Sequence, residues 1–257
     1  MIFRLRQTAV CILAGLAFTG TTQADEAADA KEHPLTPAIR YATECMAKVD
    51  SLPGYEATFF KREVVGSTLV SQKLRIKIRH EPFSVYLYFE TPNEGREVIY
   101  VDGSNSGNLL VHEAGLAGLI GTLELAPGSP TAMNENRYPV TMAGISKAVQ
   151  AVIDQWEEET KYAECEVKYF KDAKLGTMKC RVVESSHPEP RKQFKFHKTR
   201  LWVDEATGYP VRIQQFAFPK KAGAEPPVVE DYTFTDIKTD VKLTDVDFDT
   251  KNPKYNF

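Results

Sequence analysis

From Leu69 to Arg79 the chain reads LVSQKLRIKIR, and over its second half apolar and charged residues alternate strictly. A period of two marks a strand with one buried and one wet face. A second alternating stretch, FSVYLYF, follows at 83–89. A link through His80 and Glu81 sets Ile78 opposite Phe83, Ile76 opposite Val85 and Leu74 opposite Leu87. Lys77, Arg75 and Lys73 then face Ser84, Tyr86 and Tyr88. One face is aliphatic and the other basic and aromatic, as an antiparallel sheet with one solvated face requires. Strands near 96–101 (REVIYV) and 108–113 (NLLVHE) continue this meander around DGSNSG. A second meander runs from Tyr162 to the end. Pairing Val203 with Val211 and Leu201 with Ile213 aligns its apolar faces, sets Trp202 beside Arg212 and leaves Asp204 to Pro210 as the loop. Asp204 reads as a turn residue accepting backbone hydrogen bonds, not as a catalytic acid.

The helical period occurs twice. Residues 37–51 place Ile39, Ala42, Met46 and Val49 on one stripe, with Thr36 as cap, Pro37 in the first turn and Pro53-Gly54 as the stop. Residues 141–159 place Ile145, Val149, Val152, Ile153 and Trp156 on another. The tail Glu157-Glu158-Glu159 sits at the negative end of that helix dipole, which predicts fraying. Between them, 114–143 is irregular. Its stretch GLAGLIG, Gly115 to Gly121, suits a lid over an apolar cavity, a membrane contact, or a loop packed on the core. Helix, meander, irregular stretch, helix, meander: about ten strands and two helices predict a mainly β (α+β) fold, a curved antiparallel sheet wrapped around helices.

The first residues change the picture of where the protein works. Arg4 and Arg6, an apolar run from Thr8 to Phe18, and Thr22-Gln23-Ala24 before Asp25 read as an export signal. The run is shorter than the roughly 20 residues a membrane helix needs, and Cys11 lacks the context of a lipoprotein site. The division expected is a signal peptide over 1–24, a polar leader over 25–35 and one domain over 36–257. Net charge is −3, and losing Arg4 and Arg6 makes the remainder more acidic, which excludes nucleic acid as the main partner. Export permits disulfides. Cys165 and Cys180 flank a turn signal at Lys171–Thr177, so a cross-hairpin disulfide is expected, while Cys45 reads as a buried free thiol.

No phosphate loop, nucleophile elbow, His-Glu-x-x-His or dinucleotide fingerprint occurs. None of the five histidines lies three or four residues from another, so no helical metal pair exists. No cofactor or metal site is expected. Glu63, Glu97, Asp102 and His112 fall in the first meander and are the residues from which a hydrolase would be built. Equally, they are solvated strand positions and a turn. The row Lys73, Arg75, Lys77, Arg79 beside Tyr86 and Tyr88 suits an anionic partner in the envelope, or simply the wet face of a sheet.

Several stretches together carry a resemblance: FFKREVVG (59–66), PFSVYLYFETPNEGREVIYVDG (82–103), NRYPVTMAGI (136–145), AKLGTMKCRVVESSHP (173–188), RLWVDEATGYPVR (200–212) and DYTFTDIKTDVKLTDVDFDTKNPKYNF (231–257). They resemble exported bacterial proteins of domain of unknown function 1571, a family that implies no activity. More distantly, the order of amphipathic helix, meander, Leu-Trp-Val-Asp hairpin and final Phe-Thr-Asp-Ile strand is similar to the LolA/LolB type of periplasmic lipoprotein carrier. That resemblance implies an unclosed β half-barrel with helices covering its concave side, acyl chains held there and no catalytic residues. It places Leu74, Ile76, Ile78, Phe83, Val85, Leu87, Leu201, Val203, Val211 and Ile213 on the ligand-binding face. An open half-barrel cannot fill its own concavity, so either helices plug it or an apolar ligand completes it. The expectation is a non-enzymatic, monomeric, periplasmic protein holding a lipid or acylated ligand. The alternative is an envelope interaction protein with a plugged core, acting through its basic-aromatic face.

Overall fold

The computed structural model describes residues 32–221 and 223–257. The expected signal sequence and residues 25–31 of the leader lie outside them. The strands are β1 (Gly54–Val65), β2 (Thr68–Arg79), β3 (Ser84–Thr91), β4 (Glu97–Val101), β5 (Leu109–His112), β6 (Leu123–Leu125), β7 (Glu166–Leu175), β8 (Met178–Ser186), β9 (Lys198–Asp204), β10 (Pro210–Phe216) and β11 (Val228–Lys238). The helices are α1 (Leu35–Asp50), the short α2 (Pro130–Met133) and α3 (Ile145–Glu159).

All the strands join one antiparallel sheet in the order β6-β5-β4-β3-β2-β1-β11-β10-β9-β8-β7. The two meanders meet where β1 pairs with β11. β6 and β7 are the two ends and do not pair, so the sheet curls without closing, as its intrinsic twist directs. Alternate residues of neighbouring strands form one inner row: Phe59, Leu74, Ile76, Ile78, Val85, Val98, Leu201 and Phe234 join one core cluster with the buried faces of α1 and α3.

The β2–β3 register differs from the expected one by two residues. Ile78 faces Val85, Ile76 faces Leu87 and Leu74 faces Phe89, while Lys77 faces Tyr86 and Arg75 faces Tyr88. Pro82 has no N–H to give the ladder, so pairing starts only at Ser84. A shift of two leaves every side chain on its expected face. In the other hairpin Leu201 faces Ile213 and Trp202 faces Arg212 as expected, but a bulge after Pro210 sets Val203 against Pro210 instead of Val211.

Helix α1 starts at Leu35, with Pro34 at its N-cap and no side-chain cap. Its buried face is Leu35, Ala38, Ala42, Cys45 and Val49, so the stripe is rotated from the expected one, and Ile39 and Met46 sit on its flank. Helix α3 buries Ile145, Val149, Val152, Ile153 and Trp156. The Trp156 indole donates to Ser185 Oγ at 2.9 Å. Its acidic tail does not fray. Glu159 is buried against His187, with Oε2 3.1 Å from Nε2, and accepts from Gln155 at 2.8 Å. A partner far along the chain outweighs the local dipole.

The expected disulfide is absent: Cys165 and Cys180 are free. Cys180 pairs with Ala173, whereas Cys165 precedes Glu166, which faces Ser186. Along a strand rising ~3.3 Å per residue the two sulfurs are on the order of 20 Å apart, far outside bonding range. Burial, with help from Glu159, pushes the Cys165 thiol up to about 12. Burial likewise takes Cys180 up to about 11, so both thiols stay protonated near neutral pH.

Candidate functional site: a cavity beneath the concave face

Helices α1 and α3 fill only part of the concavity. Beneath α3 and the segment from Pro127 to Gly144 lies a cavity of about 240 Å³. Its floor is the inner row of the central strands, including Phe59, Leu74, Ile76, Leu87, Phe89, Ile213 and Phe234. Its roof is Tyr138, Pro139, Val140, Ala143, Gly144, Ala148, Ala151 and Val152. The cause is local. Where Val149, Ile153 and Trp156 fill the space under α3, the neighbouring Ala148 and Ala151 leave it open.

Gly144 sets the entry of α3. Its φ is +99°, and a Cβ there would lie 2.9 Å from the Tyr55 hydroxyl and 3.3 Å from Ile78. Only glycine adopts that conformation in that space. The Tyr55 hydroxyl instead accepts from the Ile145 N–H at 2.7 Å, satisfying one free donor of the helix start.

One wall of the cavity is polar and buried. Lys61 Nζ lies 3.2 Å from Glu63 and donates to the carbonyl of Glu135 at 3.1 Å and to the Asn136 side chain. Glu63 also accepts from the Arg137 N–H at 3.1 Å and from the Tyr232 hydroxyl. Arg137 pairs with Glu230 at 2.8 Å, and the Tyr138 hydroxyl donates to Glu230 at 3.0 Å. Gln72 donates to Glu135 at 3.3 Å. Burial holds the Lys61 ammonium below the usual lysine range, against the pull of Glu63. Burial also raises the Glu230 carboxyl, despite Arg137 beside it. Each buried charge here has an opposite charge within reach, yet at Lys61 and Glu230 desolvation outweighs the pairing. Among the described residues no group of three or more His, Cys, Asp or Glu is placed to hold a metal ion.

Of the residues expected on the ligand-binding face, Leu74, Ile76, Leu87 and Ile213 line the cavity. Ile78, Val85, Leu201 and Val203 are packed in the core cluster, and Phe83 lies against it. Val211 is buried outside that cluster. Sequence reading missed the polar wall and the roof. Lys61 and Glu63, at i and i+2 on one face of an aromatic-rich strand, are the signal that could have pointed to the wall.

The residues considered for hydrolysis do not assemble. Glu63 is on the inner face, whereas Glu97 is on the outer face, accepting from the Tyr86 hydroxyl and the Asn256 N–H, both at 2.6 Å. His112 is the strand partner of Glu97, and Asp102 lies beyond the far end of β4, near the Tyr100 hydroxyl at 3.2 Å. Asp204 accepts from the Thr207 N–H at 3.1 Å and the Thr207 hydroxyl at 2.8 Å, closing the turn.

The basic-aromatic face is covered at its Lys77–Arg79 end, whereas Lys73 and Arg75 stay 42% and 60% exposed. Residues Leu243 to Phe257 fold over it. Lys77 bonds Asp247 at 2.8 Å, and Arg79 bonds Asp245 at 2.6 Å and stacks over Phe248. Tyr86 stacks on Tyr255 at 4.1 Å. Lys73 and Arg75 pair with Glu90 at 2.7 and 3.4 Å, and Arg75 covers Tyr88. The row is answered within the chain.

An unclosed antiparallel sheet with helices across its concave side defines the class of β half-barrel folds. Residues 52–257 match the family described as Protein of unknown function (DUF1571), and the chain belongs to it. No curated protein matches the chain. Solved structures similar to it include a DUF1329 family protein from Desulfovibrio piger, 12% identical over 84% of this chain and 98% of that one, with a TM-score of 0.40. Another is a putative outer membrane lipoprotein-sorting protein domain from Vibrio parahaemolyticus, 13% identical over 83% and 96%, with a TM-score of 0.38. A third is the lipoprotein LppX from Mycobacterium tuberculosis, 11% identical over 81% and 100%, with a TM-score of 0.47.

Proposed function

We propose that this is an exported, non-enzymatic binding protein that holds a lipid or another apolar, acylated molecule beneath its concave face. The observation that supports this is the carbon-lined cavity. A void of ~150 Å³ takes up one benzene, so this one suits an alkyl chain or a compact ring system. The polar wall gives such a molecule one side on which a hydroxyl or amide can rest.

The test is titration of the purified protein with the uncharged probe N-phenyl-1-naphthylamine. Saturable one-to-one uptake is expected, lost in folded Ile76→Asp and Leu87→Asp variants. Undiminished uptake by those variants would remove the assignment of this face. Export is tested by N-terminal sequencing of protein made in an exporting host. A start at Asp25 is expected, and a retained Met1 overturns export.

A further inference from the structure

The stretch GLAGLIG neither closes over the cavity nor packs on the core. It forms a 3₁₀ turn, Gly115–Ile120, between β5 and β6, and none of its residues lines the cavity. Leu116, Leu119 and Ile120 are 86%, 83% and 75% exposed, well above the next most exposed large aliphatic, Val246 at 57%. Aliphatic side chains left this bare in one cluster mark an interaction site.

The cluster is held in place. A Cβ on Gly118 would lie 2.4 Å from the Glu113 carbonyl and 3.2 Å from His112 Nε2, so the turn folds tightly on its own root. The Gly121 N–H returns to the Gly118 carbonyl at 3.0 Å. Below it, Glu113 is tied to Arg96 at 2.8 Å. The three side chains therefore stand out from an anchored base.

We propose that this tip inserts into the surface of a lipid bilayer. Three side chains fall far short of the roughly 20–30 residues per partner that a stable protein interface uses. Insertion into a bilayer needs no matching partner surface, because its strength scales with the apolar area buried, side chain by side chain. Residues 114–122 carry no charge, and Glu113 and Glu124 flank them with Arg96 already paired. The tip is matched to neutral lipid, not to an anionic surface. The same hairpin forms cavity wall, at Leu109 before the tip and Pro127 after it. Docking here brings that wall to the membrane. The proposal goes beyond the cavity reading and stands without it.

The experiment is cosedimentation of the protein with phosphatidylcholine vesicles at low and high salt, beside a Leu116→Ser/Leu119→Ser/Ile120→Ser variant. The wild type partitions to the vesicles independently of salt, and the variant loses on the order of a thousandfold, since burial of each of the three aliphatics is worth a factor of about ten or more. The side chains are exposed, so the variant keeps its circular dichroism, thermal midpoint and probe uptake. Three results overturn the proposal: wild type left in the supernatant, equal binding by the variant, or self-association that the variant abolishes without any vesicle binding. The last assigns the tip to a second copy of the chain. Probe uptake is read on the same samples, so loss of the cavity and loss of the tip are told apart.

Discussion

Replacing Ala148 by Leu fills the space beneath α3. Ala148 is half-buried on the flank of the helix, next to the packed Val149, and lines the cavity. The helix propensities of Ala and Leu differ little, so the backbone is not the variable. The substitution adds three carbons. At about 0.8 kcal/mol per buried methylene their burial is worth at most ~2.4 kcal/mol. In a domain of this size 1 kcal/mol moves the midpoint by ~2–4 °C, so the rise is at most about 5–10 °C. If the space were not there, forcing the same atoms into a packed interior would cost ~1–3 kcal/mol. The two readings differ in sign. The assay is thermal unfolding of lipid-extracted protein, with probe uptake on the same samples. A higher midpoint together with at least about tenfold weaker uptake is expected, because the larger side chain of the Ala148→Leu variant occupies the ligand's volume. A lower midpoint with uptake unchanged would refute the cavity.

Other consequences follow from contacts away from the cavity. Tyr255→Ala removes the ring stacked on Tyr86 and the hydroxyl bond to the Asp247 carbonyl. A loss of about 2 kcal/mol is expected from aromatic packing and buried area, with coupling to Tyr86→Ala in a double-mutant cycle; strictly additive losses would contradict the docked C-terminal segment. Burial opposes protonation of His187, but Glu159 and the Glu164 carbonyl outweigh it and hold the imidazolium above its ordinary 6.5. The pair therefore stabilises the fold fully below about pH 6.5 and loses that contribution as pH rises through the elevated value. The stability gap between wild type and Glu159→Gln shrinks with rising pH in denaturant titrations, and a gap that does not vary with pH would disprove the linkage. Without reductant, thiol titration of the unfolded protein counts both Cys165 and Cys180. Two fewer reactive thiols than cysteines would restore the disulfide.

Much of the fold was legible because period-two rows, such as Leu74-Ile76-Ile78, declare which face of a strand is buried. Turn chemistry was less so. Pro82 moved the β2–β3 register by two, and the bulge after Pro210 displaced Val211. What escaped has a long reach along the chain. Glu159 is stabilised by His187, and the basic row is answered by Asp245, Asp247 and Tyr255, which local rules about dipoles and wet faces do not see. The candidate site divides the same way. Its aliphatic floor follows from alternation, whereas its polar wall gathers Lys61, Gln72, Tyr138 and Glu230 from four segments. The cavity itself is a matter of what α3 leaves out at Ala148 and Ala151.

The most direct test is to purify the protein from an exporting host without detergent and compare its native and denaturing mass spectra, with lipid extraction of the same sample. The account predicts a stoichiometric apolar passenger that leaves on denaturation. A passenger-free protein that also refuses N-phenyl-1-naphthylamine would contradict it.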